Sequence, residues 1–149
     1  GIFVGETINT PSMIAVEDYV DALEWAKSVG SLKGLIARAD ANTAAIADWI
    51  AASTSFAFLP KVAATRSNTS VCLSITDAEV VAKGPEAVGK VAKAIVSLLD
   101  KEGVAYDIGA YRDAPAGLRI WCGATVETAD VKALTAWLDW ALAQAKAAA

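Results

Sequence analysis

The stretch Tyr111-Arg112-Asp113-Ala114-Pro115-Ala116-Gly117-Leu118-Arg119-Ile120-Trp121-Cys122-Gly123 decides the fold class. Its first half is turn chemistry, with aspartate, proline and glycine in close succession. Its second half is a short apolar run that reads as a strand near Leu118–Cys122. Upstream, Val71-Cys72-Leu73-Ser74-Ile75 is apolar, partly β-branched and too short for a helix, so it is a second strand. A third is expected near Val104–Ile108. The remaining apolar residues recur at helical spacing: Met13, Val16, Val20 and Leu23; Leu32, Leu35, Ile36, Ala39, Ile46, Trp49 and Ile50; Val88, Val91, Ala92, Ile95, Leu98 and Leu99; Val131, Leu134, Trp137, Leu138 and Leu142. The order is helix, helix, strand, helix, strand, strand, helix. That is an α+β chain: two N-terminal helices, then a small three-stranded, mainly antiparallel sheet covered by helices.

The punctuation fits these elements. Gly1–Thr10 is an extended or looping lead-in. Pro11 and Ser12 open the first helix, with Glu17 and Asp18 near its positive end. Gly30 suits a left-handed C′ position, and Ser31 is placed to cap the second helix, which ends near Ala52. Gly84-Pro85 starts the third helix and Gly103 ends it. Thr128 is expected to cap the last helix, whose alanine-rich tail should fray at Ala147–Ala149.

Composition narrows the chemistry. A chain of 149 residues with 55% hydrophobic and 20% charged residues is one domain, or one domain plus an extension, with a real core. A net charge of -4 argues against nucleic acid as a main partner. No apolar run is long enough to span a bilayer, and no signal-peptide layout opens the chain. Cys72 and Cys122 lie in apolar runs and read as buried thiols in a reduced, cytoplasmic protein. With no histidine, His–Ser and His–Cys pairs and the usual zinc sites are excluded. There is no glycine-rich phosphate loop. The start at Gly1, without methionine, suggests a processed or truncated end.

Anion recognition is the leading chemical idea. Arg112 and Arg119 are two of only four arginines. An arginine at the mouth of a strand presents a planar fork that matches a carboxylate or phosphate. Arg119 is therefore a carboxylate anchor, or else an ordinary strand arginine paired with Asp107 or Asp113. Arg112 is a phosphate or second-carboxylate contact, or a solvated loop charge. Asn9-Thr10-Pro11-Ser12 places an amide, hydroxyls and free backbone N–H groups at a helix start, which suits an anion; plain N-capping by Thr10 or Ser12 is the alternative. The lysines lie on polar helix faces or in loops, where none is desolvated for Schiff-base chemistry. Trp121 follows Arg119 by two residues and shares its strand face.

Several motifs taken together resemble phosphoserine aminotransferase, in the version found in alphaproteobacteria and their relatives. They are Gly5-Glu6-Thr7-Ile8-Asn9-Thr10-Pro11-Ser12-Met13, Arg38-Ala39-Asp40-Ala41-Asn42, Arg66-Ser67-Asn68-Thr69-Ser70-Val71-Cys72-Leu73, Tyr106-Asp107-Ile108-Gly109-Ala110-Tyr111-Arg112-Asp113 and Gly117-Leu118-Arg119-Ile120-Trp121-Cys122-Gly123. The resemblance runs along essentially the whole chain but covers only the C-terminal part of such an enzyme. It implies a fold-type-I, class V enzyme using pyridoxal 5'-phosphate (PLP), which moves an amino group between glutamate and 3-phosphohydroxypyruvate in serine biosynthesis. It implies a homodimer with active sites at the interface. Residues 1–55 would be the end of the large PLP domain and linking helices, and residues 56–149 the small C-terminal α+β domain. By the same resemblance, Asn9 and Thr10 reach the PLP phosphate of the neighbouring subunit, and Arg119 holds the substrate α-carboxylate. Arg112 contacts the substrate phosphate across the dimer. Tyr111 falls where many members carry histidine, and its phenol can still donate one hydrogen bond. The family's Schiff-base lysine lies upstream of the Gly-Glu-Thr motif, so these residues alone are expected to be inactive. Two alternatives stay open: a stand-alone anion-binding or interaction module, and a related serine–glyoxylate transaminase, which would need Arg119 but not Arg112.

Overall fold

Apolar periodicity and capping place most elements where the chain forms them. The computed structural model describes residue 1 and residues 4–147. The expectations for the rest of the lead-in, residues 2–3, and for fraying at Ala148 and Ala149 lie outside the described residues. The chain divides into two compact units, Gly1–Ala37 and Arg38–Ala149.

In the first unit, α1 (Met13–Ser28) is capped by Ser12, whose Oγ accepts from the Ala15 N–H at 3.4 Å. Because the helix begins at Met13, Glu17 and Asp18 sit beyond its first turn, where the dipole has little hold on them. No residue of α1 is buried. Gly30 takes the left-handed φ of +98° that ends the helix, as its position suggests. Ser31 does not act as a cap: it is the first residue of α2 (Ser31–Ala52) and has a φ of +55°. The turn is so tight that a Cβ on Gly34 would lie 1.7 Å from the Val29 carbonyl oxygen.

In the second unit, three strands form one antiparallel sheet in the order β1 (Phe56–Phe58), β2 (Ser70–Ile75), β3 (Leu118–Trp121). β1 is a strand the sequence pattern missed, because three residues leave no measurable alternation. It pairs Phe56 with Ile75 and Phe58 with Leu73. The strand expected near Val104–Ile108 is absent. That segment forms one isolated bridge, Gly109 with Leu118, and Asp107 breaks its extended path with a φ of +53°. Ala105 and Ile108 are nonetheless buried, which explains why the apolar pattern resembled a strand.

The helices of this unit are the end of α2, α3 (Ala78–Ala82), α4 (Pro85–Lys101) and α5 (Thr128–Ala147). Pro85 starts α4 behind Gly84, and Gly103 follows its end in left-handed conformation. α3 is five residues long, capped by Asp77, and too short to show a period. α5 begins at Thr128 itself, and the Thr128 hydroxyl, spent on Asn42, caps nothing. β2 alternates, with Val71, Leu73 and Ile75 buried and Ser70, Cys72 and Ser74 partly exposed. The buried face joins Leu118 and Ile120 of β3 to Val91, Ile95 and Leu99 of α4, and to Val131, Leu138 and Leu142 of α5. One face of the sheet thus carries the core. The other carries small polar residues and Arg119. No described helix is long and apolar enough to cross a membrane.

Candidate functional site

The open sheet face is built by strand alternation. Leu118 and Ile120 point into the core, so Arg119 and Trp121 must point out. Register places Arg119 opposite Cys72 and Trp121 opposite Ser70. The Arg119 side chain keeps 34% of its surface exposed, and its Nη2 donates to Asp107 Oδ2 at 3.1 Å. Of the two partners the sequence offered, Asp107 is the one engaged. The pair shares a cleft of about 450 Å³ with Ser70, Tyr106, Trp121 and Leu134. Trp121 forms a wall of that cleft. Its ring lies over Gly123, where a Cβ would come within 2.4 Å, and its Nε1 reaches Thr125 Oγ1 at 3.4 Å.

Arg112 and Tyr111 lie elsewhere. Arg112 is 89% exposed and pairs with its neighbour Asp113 at 3.9 Å, and Tyr111 is also exposed. The Tyr111 carbonyl accepts from Ala114 N–H at 2.9 Å, closing a turn that holds both side chains outward. They line a separate depression of about 570 Å³ with Lys93, Asp100 and Gly117. Arg112 and Arg119 therefore line different clefts. Asn9 and Thr10 belong to the N-terminal unit, exposed just ahead of the Ser12 cap.

Other polar residues that sequence reasoning left without a role hold the site's frame. Asn42 is fully buried; its Nδ2 faces the carbonyls of Cys122, Gly123 and Val126 at 3.0–3.2 Å. Its Oδ1 accepts from Thr128 Oγ1 at 2.6 Å. One turn earlier, Arg38 donates to the Ala124 carbonyl at 2.7 Å and pairs with Glu127. On the same helix Asp40 accepts from Asn68 Nδ2 at 2.7 Å, and Thr43 donates to the Asn68 carbonyl at 2.8 Å. So α2 ties down the loop entering β2 and the loop leaving β3; β3 is the strand that carries Arg119 and β2 the neighbour it pairs with. The signal was present: Asn42 falls on the apolar stripe between Ala39 and Ile46, and a polar residue there is a buried, hydrogen-bonded one.

A second charged cluster joins α5 to α3. Lys146 Nζ lies 2.9 Å from Asp77 Oδ2 and 2.7 Å from Glu79 Oε2. Burial would raise the Asp77 carboxyl, but the Lys146 ammonium, the Val80 N–H and the Ser55 hydroxyl together hold it below its ordinary value. Lys146 is held above its ordinary value by Glu79 and then Asp77. Burial pushes the Cys122 thiol up to about 11. Among the described residues no cluster of carboxylates and thiols is placed to hold a metal ion.

Comparison with known proteins adds an independent line. No protein-family profile matches the chain. The phosphoserine aminotransferase of Methanosarcina mazei is 46% identical over 140 residues, 94% of this chain and 35% of that protein. That of Methanosarcina barkeri is 47% identical over the same share of each. The chain is thus similar in sequence to the C-terminal part of phosphoserine aminotransferases. It spans about a third of the length of these relatives. The solved phosphoserine aminotransferase of Bacillus circulans subsp. alkalophilus matches with a TM-score of 0.72 at 18% identity, over 91% of this chain and 34% of that one. A structure described as showing radiation damage of the Schiff base in phosphoserine aminotransferase gives the same TM-score at 16% identity. At such identities these structures speak for the fold, which is that of the C-terminal part of phosphoserine aminotransferase.

Proposed function

We propose that the protein carrying this sequence is a PLP-dependent phosphoserine aminotransferase of the cytoplasm, moving an amino group between glutamate and 3-phosphohydroxypyruvate in serine biosynthesis. In this reading residues 1–55 complete the large PLP domain and residues 56–149 form the small domain. The observation that carries the reading is Arg119: a half-buried guanidinium on the open sheet face, with one nitrogen on an exposed carboxylate and the rest of its fork accessible. It takes the substrate α-carboxylate. Arg112 and Tyr111 take the substrate phosphate. Because one chain lines separate clefts with Arg112 and Arg119, a substrate bearing both anions calls for Arg112 from a second copy. That supports a homodimer with shared sites, acting on small molecules.

Asn9 and Thr10 fit the cofactor's phosphate. Both are exposed neutral donors just ahead of α1, whose start is capped by Ser12 on the Ala15 N–H, and a helix start favours an anion. When bound, PLP supplies the electron sink for the amino transfer. The residues of this chain bind and orient: Arg119 fixes the carboxylate end, Arg112 and Tyr111 the phosphate end, and Trp121 walls the carboxylate cleft against water.

The test is Arg119→Lys in the full-length protein. Lysine keeps the charge but loses the fork. A charge-assisted bond contributes about 1.5–3 kcal/mol, so kcat/KM should fall about 10- to 100-fold for both substrates while the bound cofactor's absorbance persists. Wild-type kinetics in this variant would refute the assignment. Arg112→Ala should weaken the phosphorylated substrate more than glutamate, and equal losses would refute its phosphate role.

A further inference from the structure

Asp107 stands out beside Arg119. Among the described residues it is one of two non-glycines with positive φ, at +53°, a conformation that aspartate tolerates but that is rare and tends to mark function. The backbone around it is fixed. Ile108 is buried, its carbonyl accepts from the Arg119 N–H at 2.8 Å, and Gly109 bridges Leu118. The chain is thus pinned to β3 one residue beyond the left-handed turn. The result is a carboxylate set over the guanidinium, 3.1 Å from Nη2, with 91% of the Asp107 side chain open to solvent. A purely structural ion pair has no need of a strained backbone or of so exposed an acid, because exposed pairs contribute little to stability.

We propose that Asp107 is a built-in stand-in for the substrate carboxylate: a positioning residue that holds the Arg119 fork in the cleft when empty and competes with the incoming anion. This deepens the reading of Arg119 as carboxylate anchor and rests on it. Only one guanidinium nitrogen is engaged, so an incoming carboxylate reaches the remaining donors first and then displaces Asp107 into water. Its solvation there makes the exchange easy. The acid keeps a cation from standing unpaired on the open sheet face and sets a threshold that a weakly held monoanion must exceed.

The experiment uses the full-length protein with PLP bound. Asp107→Asn removes the charge and keeps a side chain that tolerates left-handed backbone. Asp107→Gly removes both charge and strain. Both should lower KM for glutamate about two- to fivefold, the range an exposed ion pair contributes, with kcat changing less than KM. In an Arg119→Ala background the fall in KM should vanish. Asp107→Asn that raises KM, or leaves it unchanged while Arg119→Ala raises it, overturns the stand-in role and leaves the anchor intact. Arg119→Ala that leaves KM unchanged overturns the anchor, and the stand-in role with it.

Discussion

Asn42→Ala should be among the most damaging single changes in the second unit, and its cost follows from the geometry. The Nδ2 group has two hydrogens and faces three carbonyls at 3.0–3.2 Å, while Oδ1 receives the Thr128 hydroxyl at 2.6 Å. Truncation removes three hydrogen bonds at about 1 kcal/mol each and strands acceptors beside Cys122, which is wholly buried. The expected loss is about 3 kcal/mol, or about 6–12 °C in Tm for a chain of this size. Urea unfolding followed by far-UV circular dichroism, at unchanged m-value, reads it directly. Thr128→Val should cost about 1 kcal/mol, and the double variant less than the sum, because both remove the same bond. Asn42→Asp sharpens the test. The introduced carboxylate has no hydrogen to offer three carbonyls, so at neutral pH it should be worse than alanine. The gap should narrow on acidification: a carboxyl whose native pKa is raised gives its full stability only at low pH, as protonation restores one donor. A loss under about 1 kcal/mol for Asn42→Ala, or an Asn42→Asp variant milder than alanine, would refute the clamp.

The other predictions use the same unfolding assay or a simple chemical probe. Gly117→Ala places a Cβ 2.1 Å from the Leu73 carbonyl oxygen, a backbone atom that cannot swing aside, so it should cost about 1–3 kcal/mol; a neutral effect would mean the β2–β3 approach is looser than described. Lys146→Met should flatten the pH profile of stability at both ends. The lowered Asp77 contributes above its ordinary 3.8 and is lost as pH falls through its native value, and the raised Lys146 contributes below its ordinary 10.5 and is lost as pH rises through its native value. An unchanged urea midpoint profile across that window would show the cluster to be inert. With Cys122 buried and its thiol raised to about 11, alkylation at pH 8 followed by intact mass should label Cys72 alone until the protein unfolds, and early double labelling would contradict that burial.

What the sequence made legible was what periodicity and capping encode. The long helices α1, α2, α4 and α5, the strand at Val71–Ile75 and the strand carrying Arg119 all follow from spacing and from Ser12, Gly30, Gly84 and Pro85. Apart from local misplacements such as Ser31, the failures share one cause: features decided by tertiary contact. β1 exists because Phe56, Ala57 and Phe58 find Ile75, Ser74 and Leu73. Val104–Ile108 is apolar because it lies against the core, and Asp107 turns it out of the sheet. Thr128 has the chemistry of a cap, but a buried amide on another helix claims its hydroxyl. For the candidate site, the residue types were legible and their grouping was not. Arg119 and Trp121 share a face because strands alternate, a local rule. That Arg112, seven residues away, lines a different cleft depends on how Gly109–Gly117 folds back on α4.

The contrast between the two arginines also orders their contributions. Arg119 is two-thirds covered by its surroundings and already held by Asp107, so little rotamer freedom is left to lose when a carboxylate binds. Its local dielectric lies below that of water, which strengthens each bond to an anion. Arg112 is 89% exposed and pairs at 3.9 Å only with the similarly open Asp113 among the described residues. Ordering such a side chain costs about 2 kcal/mol, and an exposed ion pair returns about 1 kcal/mol or less. On this surface alone Arg112 adds no net affinity. It becomes an anchor only where another surface desolvates it and restricts its motion, as the second subunit of the proposed homodimer would. In the proposed reading, carboxylate affinity is therefore a property of the folded chain. Under the proposed function, phosphate affinity would be a property of the assembly, and it should fall with dilution into the monomer while Arg119-dependent carboxylate contact persists.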